Sequence, residues 1–164
     1  MSQRNEIAMK AREELGYAET GDNHTKYQKK DQAWCGAFVN WVFKAVGVKI
    51  PDCTSTLAGA TAFQKAKAWQ DAENATPAVG DLVFFDFPGD GVDRISHIGI
   101  VVRDNGDGTV TCIEGNTSPD KKGDQRNGGE VCQKVRAYKK KNRGNLKPSL
   151  PVFVVGFGKP TFQD

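Results

Sequence analysis

Apolar residues in the first part of the chain recur at helical intervals. A first amphipathic helix is predicted near the N-terminus, where Ser2 is available as a cap and Gly16 as a stop. Its apolar positions, with the i, i+4 spacing of one helix face, are Ile7, Ala8, Ala11 and Leu15. A further amphipathic helix is predicted over residues 55–69, after the break at Pro51. Its less regular apolar side consists of Leu57, Ala60, Phe63 and Ala68.

The segment from Asp31 to Val46 is apolar on most sides. A helix of this kind lies at the centre of a domain, so we expect it to be packed between other elements. Asp31 is the predicted N-cap and Gly47 the predicted stop. Its apolar residues are Trp34, Phe38, Val39, Trp41, Val42, Ala45 and Val46. The polar residues 19–31, which precede it, are typical of a surface loop.

After Trp69 the pattern changes from helical to strand-like. Short apolar or alternating runs, separated by Pro and Gly turns, indicate about five strands over residues 82–85, 97–102, 110–114, 130–138 and 152–157. Three helices followed by strands predict an α+β fold, with the helices packed on an antiparallel sheet. We expect one domain over residues 1–164, because two cores would each be small for a chain of this length.

An Asn-Gly-Asp-Gly sequence at residues 105–108 predicts a hairpin between the second and third strands. If these residues form the loop, position 104 faces position 109, and paired residue numbers sum to 213. That register places His97 opposite Asn116, with Glu114 one pair away, whereas a slip of two residues places Glu114 opposite. In either register a histidine at a strand end meets polar residues.

Composition excludes several classes of function. The chain is 38% hydrophobic and 26% charged, as in ordinary globular proteins, and it contains no apolar run long enough to span a membrane. The first residues lack the apolar core of a signal peptide, so we expect neither membrane insertion nor Sec-type export. The net charge of +3 does not indicate nucleic-acid binding. A basic run is interpreted as a solvated loop rather than a docking site for an anionic polymer: Lys139, Lys140, Lys141 and Arg143.

Four cysteines and two histidines are the candidates for chemistry. No CxxC or HExxH pattern is present, so neither a metal site nor a cofactor is expected. Cys35 lies in the first turn of the central helix, where backbone N–H groups and the helix dipole stabilise a thiolate and an oxyanion. His97 has polar neighbours that fix its tautomer. The other candidates are interpreted as a surface residue, His24, and as structural thiols, Cys53, Cys112 and Cys132.

Four segments in order resemble the CHAP family, the cysteine, histidine-dependent amidohydrolases/peptidases. They are WCGAFV (34–39), PAVGDLVFF (77–85), SHIGIV (96–101) and IEGNT (113–117). The resemblance implies a papain-like (NlpC/P60-like) fold and hydrolysis of peptidoglycan amide bonds, most commonly in phage endolysins and bacterial autolysins. It implies Cys35 as nucleophile, His97 as base, Glu114 as the orienting third member and Asn116 as a supporting polar group.

The resemblance also bears on ligands and substrate. Some CHAP domains bind calcium through alternating acidic residues before the cysteine. The corresponding residues here are Lys26, Gln28, Lys30 and Gln32, with Ala37 after the cysteine, so no calcium site is expected. Asp22 and Asn23 are interpreted as a polar turn. Trp34 and Tyr27 are candidates to line the substrate groove, although Trp34 fits the core equally well.

The expected function is therefore a monomeric, endolysin-like peptidoglycan hydrolase, acting as N-acetylmuramoyl-L-alanine amidase or endopeptidase. Release through a membrane lesion during phage lysis fits the expected lack of an export signal better than secretion does. A non-catalytic wall-binding module and a cysteine hydrolase of another amide remain as alternatives.

Overall fold

The computed structural model describes residues 1–89, 91, 94–119, 123–140 and 150–163. Three helices come first: α1 (Gln3–Glu13), α2 (Cys35–Val46) and α3 (Thr56–Lys65). Six strands follow in the described part: β1 (Trp69–Asp71), β2 (Leu82–Phe85), β3 (His97–Asp104), β4 (Thr109–Thr117), β5 (Glu130–Ala137) and β6 (Val154–Gly158). A 3-10 turn, Ala72–Asn74, follows β1. The α+β class is confirmed, with one strand more than expected.

Helix α1 begins where the sequence predicted. The Ser2 hydroxyl accepts a hydrogen bond from the Asn5 N–H at 3.2 Å, which satisfies one of the unpaired N–H groups of the first turn. Ile7, Ala8 and Ala11 are buried. The prediction that Leu15 belongs to the apolar face is wrong, because α1 ends at Glu13 and Leu15 is 41% exposed.

Helix α2 begins three residues later than predicted. Its N-cap is Trp34, which makes no side-chain capping bond, and the expected cap Asp31 instead lies 2.9 Å from Nδ1 of His24. Gly47 adopts a left-handed conformation (φ 85°) and ends the helix as predicted. The helix packs against α1, β3 and β4, which confirms its central position. Asn40, Trp41 and Val46 are partly buried, and Lys44 and Ala45 are exposed.

Helix α3 is shorter than predicted. Ser55 caps it by accepting the Ala58 N–H at 3.2 Å, and it ends at Lys65, because Lys67 adopts a positive φ of 57° and Trp69 begins β1. Phe63 and Ala60 are buried, but Leu57 is 39% exposed and does not belong to the apolar side. In the described part of the chain no helix is long and apolar enough to cross a lipid bilayer.

The strands form one antiparallel sheet in the order β1-β6-β2-β3-β4-β5. The predicted β3–β4 register is confirmed in the body of the hairpin, where Ile100 pairs with Ile113 and Val101 with Cys112. Towards the turn, an irregularity between Val101 and Arg103 moves the register by one residue. Position 104 therefore pairs with position 110 rather than 109.

The two faces of the sheet are buried under different groups of residues. The helices cover one face, where Ile98, Ile100 and Ile113 join the main core. The opposite face holds a second cluster that includes Phe85, Val101 and Phe157. His97 is the first residue of β3 and contacts rings of the second cluster, while the first residue of α2 belongs to the main core. His97 and Cys35, the first residue of α2, meet at one end of the sheet.

Candidate active site

Cys35 is the first residue of α2, as required of a thiol activated by a helix N-terminus. The first hydrogen bond of the helix runs from the Phe38 N–H to the Trp34 carbonyl at 3.0 Å, so the N–H groups of residues 35–37 precede the intrahelical pattern. The Trp34 side chain forms no capping hydrogen bond with these N–H groups. These groups can hold negative charge, either on the sulfur or on an oxygen beside it. Cys35 itself is 5% exposed.

The loop beside this helix start is fixed by close contacts. A Cβ at position 36 would overlap the carbonyl oxygen of Cys53, so Gly36 allows the loop to lie directly against α2. Asn40 ties the same loop to the helix, because its Oδ1 accepts the Cys53 N–H at 2.9 Å and its Nδ2 donates to Asp52 at 2.8 Å. The loop that contains Asp52 and Cys53 is therefore fixed against the N-terminal half of α2 at two positions, Gly36 and Asn40.

The His97 imidazole is fully buried between Cys35 and Glu114. Its Nε2 lies 2.8 Å from Oε1 of Glu114, whereas Nδ1 makes no hydrogen bond with any described residue. Burial alone would lower the pKa of His97, but interactions with the side chains of Cys35 and Glu114 raise that pKa to about 9. A carboxylate beside Nε2 keeps the proton there, which leaves Nδ1 as the nitrogen that can exchange a proton with Cys35.

Glu114 reaches His97 across a glycine. In the β3–β4 register Glu114 lies opposite Gly99, and a Cβ at position 99 would lie only 2.8 Å from Cγ of Glu114. The absence of a side chain there leaves room for the carboxylate to extend along β3 to the histidine. Gly115 has the corresponding role on the helix face, where a Cβ would lie 2.8 Å from Cβ of Phe38 on α2.

Arg136 on β5 is a residue of the site that the sequence did not reveal. Its Nε and Nη2 donate to Oε2 and Oε1 of Glu114 at 2.8 and 2.7 Å. Burial alone would raise the pKa of Glu114, but the hydrogen bonds and charge of Arg136, with contributions from His97, hold that pKa well below its usual range. The available signal was strand alternation, which places Arg136 on the same face of β5 as Cys132.

Asn116 lies near the pair but is engaged elsewhere. It has a positive φ of 58° at an irregularity in β4. Its Oδ1 accepts the Gly129 N–H at 3.1 Å, and its Nδ2 donates to Asn127 at 3.0 Å. The structure thus places this side chain against the segment that leads into β5, and of the expected four it groups Cys35, His97 and Glu114 around one another.

Trp34 and Tyr27, the expected groove residues, lie in the core. Trp34 is fully buried and stacks on Tyr27, with ring centroids 5.6 Å apart. Tyr27 is 8% exposed and its hydroxyl donates to Glu14 at 2.8 Å. Neither ring has the exposed surface that lining a groove requires, so their position supports the core alternative left open for Trp34.

The other three cysteines are also buried, and in the described part of the chain no histidine influences their pKa values. Burial, together with the charges of Asp52 and Cys35, raises the pKa of Cys53 to about 12. Burial also raises the pKa of Cys112 and of Cys132. A thiol with a raised pKa is a poor nucleophile at neutral pH. Cys112 donates to Oε2 of Glu114 at 3.1 Å, whereas Cys35 is the cysteine that interacts with His97.

The residues at the calcium positions of the family do not suit that ion. The ammonium of Lys26 lies 2.6 Å from Oε1 of Glu14 and so neutralises a nearby carboxylate. Asn23 forms part of a polar turn, in which its N–H donates to Glu19 at 2.6 Å. Calcium requires several oxygen ligands, usually including carboxylates. Within the described ranges, no three His, Cys, Asp or Glu side chains are grouped to hold a metal ion.

Part of the sequence matches a known family, and the fold has known counterparts. Residues 26–116 match the model of the CHAP domain. The solved structure of NlpC1 from Trichomonas vaginalis is similar at a TM-score of 0.57 and 17% identity, covering 99% of this chain and 45% of that one. An NlpC/P60 family protein from Bacillus cereus gives 0.51 and 14%, covering 95% and 39%.

These structural similarities concern the fold, since identity is low, and the chain spans less than half the length of either solved protein. Comparison with curated protein sequences finds no match. The CHAP match covers more than half of the chain and includes Cys35, His97, Glu114 and Asn116. The chain belongs to the CHAP family and has the NlpC/P60-like fold.

Proposed function

We propose that the protein hydrolyses an amide bond of bacterial peptidoglycan, with Cys35 as nucleophile. The observation that carries the proposal is the meeting of a helix-terminal thiol with a buried His97–Glu114 pair. Membership of a family of peptidoglycan hydrolases supports the substrate class. The same three side chains would have no evident purpose in a module that only binds the wall.

The proposed reaction follows from the positions of the hydrogen-bonding atoms. Nδ1 of His97 takes the proton of the Cys35 thiol, and the thiolate attacks the amide carbonyl carbon. The N–H groups at the start of α2 stabilise the oxyanion. The imidazolium then protonates the leaving amine, which departs and leaves a thioester. His97 next deprotonates a water molecule, whose attack releases the acid and restores the thiol.

The bond cleaved is one of two kinds. An N-acetylmuramoyl-L-alanine amidase frees the lactyl carboxylate of the sugar, and an endopeptidase frees a carboxylate within the stem peptide or crossbridge. Both reactions use the same atoms of the protein. Mass spectrometry of peptidoglycan digested by the purified protein identifies the bond, because the two cleavages give products with different new amino termini.

Replacement of Cys35 tests the nucleophile directly. Cys35→Ala and Cys35→Ser should reduce clearing of purified cell walls to background, because neither side chain supplies a thiolate. Cys132→Ala is the matched control and should retain clearing, since this thiol lies on β5 and burial raises its pKa, which makes it a poor nucleophile. Circular dichroism should show that all three variants are folded.

Three outcomes separate the alternatives. Clearing by a folded Cys35→Ala variant would exclude the proposed mechanism. Wall binding that survives alkylation of Cys35, with no turnover by the wild type, would identify a binding module. Thiol-dependent cleavage of other amides, with intact walls left unchanged, would identify a cysteine hydrolase with a different substrate.

We further propose an endolysin-like route to the wall, in which the folded protein acts after release from the cell that made it. Residues 3–13 form α1 and bury Ile7, Ala8 and Ala11 in the main core, so they belong to the active fold. Release of reporter protein from bacteria treated externally with the protein would support this route. Activity confined to enzyme exported by its own producing cell would oppose it.

A further inference from the structure

The Arg136 side chain spans two strands to reach Glu114. In the β4–β5 register Cys132 pairs with Glu114. Arg136 pairs instead with Val110, four residues away from Glu114 on β4. The side chain runs back along the sheet and forms two parallel hydrogen bonds to the carboxylate, at 2.8 and 2.7 Å. Its Nη2 also donates to Oε1 of Gln125 at 3.3 Å. The arrangement is bidentate, which fixes orientation as well as charge.

The same aromatic pair supports both partners of Glu114. The guanidinium carbon of Arg136 lies 5.3 and 5.2 Å from the ring centroids of Phe85 and Phe87. The His97 ring lies 5.6 and 5.4 Å from the same two centroids. The two phenylalanine rings are themselves stacked, with an interplanar angle of 5°. Arg136, Glu114 and His97 therefore form one packed unit.

Glu114 needs this partner because its side chain is fully buried. Removing a carboxylate from water favours its neutral, protonated form unless a positive charge compensates. The titratable and charged groups around the Glu114–His97 pair, in the described part of the chain, are Cys35 on α2, Cys112 on β4, and Cys132, Lys134 and Arg136 on β5. Of these, only Arg136 both carries a permanent positive charge and contacts the carboxylate.

We propose that Arg136 is a positioning residue for the proposed hydrolysis: it keeps Glu114 a proton-free acceptor that holds the Nε2–H of His97, so that the proton exchanged with Cys35 is the one on Nδ1. This inference rests on the proposed function. With Glu114 ionised, the carboxylate accepts the Nε2–H of His97. With Glu114 protonated, its O–H donates to Nε2, the ring proton moves to Nδ1, and His97 can no longer accept the thiol proton.

Replacement of Arg136 separates this role from a purely structural one. Arg136→Met should lower kcat/KM for wall cleavage most strongly at the acid end of the profile, by up to about 10²-fold, the contribution typical of a positioned base. The acid limb of the pH profile should move upward by about 1–3 pH units, because Glu114 loses the opposite charge that keeps it ionised. Arg136→Lys should restore part of the activity. Arg103→Met removes an exposed charge from β3 and should change neither quantity.

A second measurement does not depend on the substrate. The rate at which iodoacetamide alkylates Cys35, followed by mass spectrometry of the peptide that contains it, reports thiolate formation directly. Its pH dependence should move upward in Arg136→Met. If the wild type failed to cleave walls but this shift appeared, the proposed function would be wrong while the role of Arg136 stood.

The double variant with Glu114→Gln completes the test. A glutamine cannot be protonated in this range, so adding Arg136→Met to Glu114→Gln should produce no further shift in alkylation. An equal shift in both backgrounds would overturn the proposal, because Arg136 would then act without Glu114. An unchanged acid limb in a folded Arg136→Met variant would overturn it as well.

Discussion

At the scale of single residues, His97 combines complete burial with a pKa above its ordinary value. Burial opposes the charged ring, yet the side chains of Cys35 and Glu114 raise the pKa from 6.5 to about 9. Because the pKa in the folded state is the higher one, protonation of His97 stabilises the fold fully below about pH 6.5. This contribution is lost as the pH rises through about 9.

The titration of His97 is directly measurable, since His24 is the only other histidine. We expect the imidazole nitrogens of His97 to titrate near pH 9 in NMR spectra, with a His24→Gln variant providing the assignment. In Cys35→Ala the midpoint should fall, because one of the two interactions that raise the pKa has been removed. A midpoint that is the same with and without the thiol would show that Cys35 and His97 do not interact.

The residues of the site differ in how far the sequence predicted them. Cys35, His97 and Glu114 were accessible because each lies in a local pattern: a helix start, a strand end and a short hairpin of known register. Arg136 was not, because residues 118–129 separate β4 from β5 and leave their register undetermined. The burial of Trp34 and Tyr27 depends on packing between parts of the chain that are distant in the sequence, and no local pattern specifies such contacts.

At the scale of secondary-structure elements, the start of α2 depends on a contact that only glycine permits. Gly36→Ala should lower the free energy of unfolding by about 1–3 kcal/mol, the usual cost of overpacking, because its Cβ would overlap the Cys53 carbonyl. Wall clearing should fall more than stability does, since the Cys35 turn would be displaced. Urea denaturation and clearing assays measure the two effects.

Gly21→Ala provides the matched control. The nearest atom to a Cβ at position 21 is 3.7 Å away, an ordinary contact, and the backbone there does not require glycine. The variant should therefore remain within about 0.5 kcal/mol of the wild type. If the substitutions at positions 36 and 21 had equal effects, the close approach of the Cys53 loop would not be important.

The elements themselves were predicted with uneven success. The sequence correctly predicted which segments form α1, α2 and the four strands from β2 to β5. It did so because the spacing of apolar residues follows the face of the element that is buried. Strand β1 was missed, since three residues cannot show alternation, and it exists through pairing with β6. Asp31 has the side chain of a cap but pairs with His24, which the sequence alone does not reveal.

At the scale of the whole molecule, one buried carboxylate joins distant parts of the chain. Asp81 is fully buried, accepts the Ala78 N–H at 2.8 Å and pairs with Arg4 of α1 at 3.2 Å. It also pairs with Lys159, which follows β6. The PAVGDLVFF segment of the family is therefore structural at this position, because Asp81 connects the N-terminal helix to the start of β2 and to the residue that follows β6.

Asp81→Asn should destabilise the protein by about 1–3 kcal/mol, because it weakens the hydrogen bonds of a buried acceptor to two cations that are themselves partly exposed. Urea denaturation measures this loss, and cleavage per folded molecule should be unchanged. Glu13→Gln, which breaks the exposed pair with Lys10, is the control and should cost no more than about 1 kcal/mol. Equal stability of the two variants would mean that Asp81 does not link these elements.

The absence of a side chain at Gly99 helps to distinguish active members of this family from inactive relatives. Glu114 reaches His97 only because position 99 carries no side chain. A relative with cysteine, histidine and glutamate at the matching positions, but with a larger residue in place of Gly99, would retain every reactive group and lose the path that joins two of them. A search for the reactive residues alone would classify such a protein as an enzyme. Glycine at the position of Gly99 therefore belongs in the sequence pattern that identifies active members.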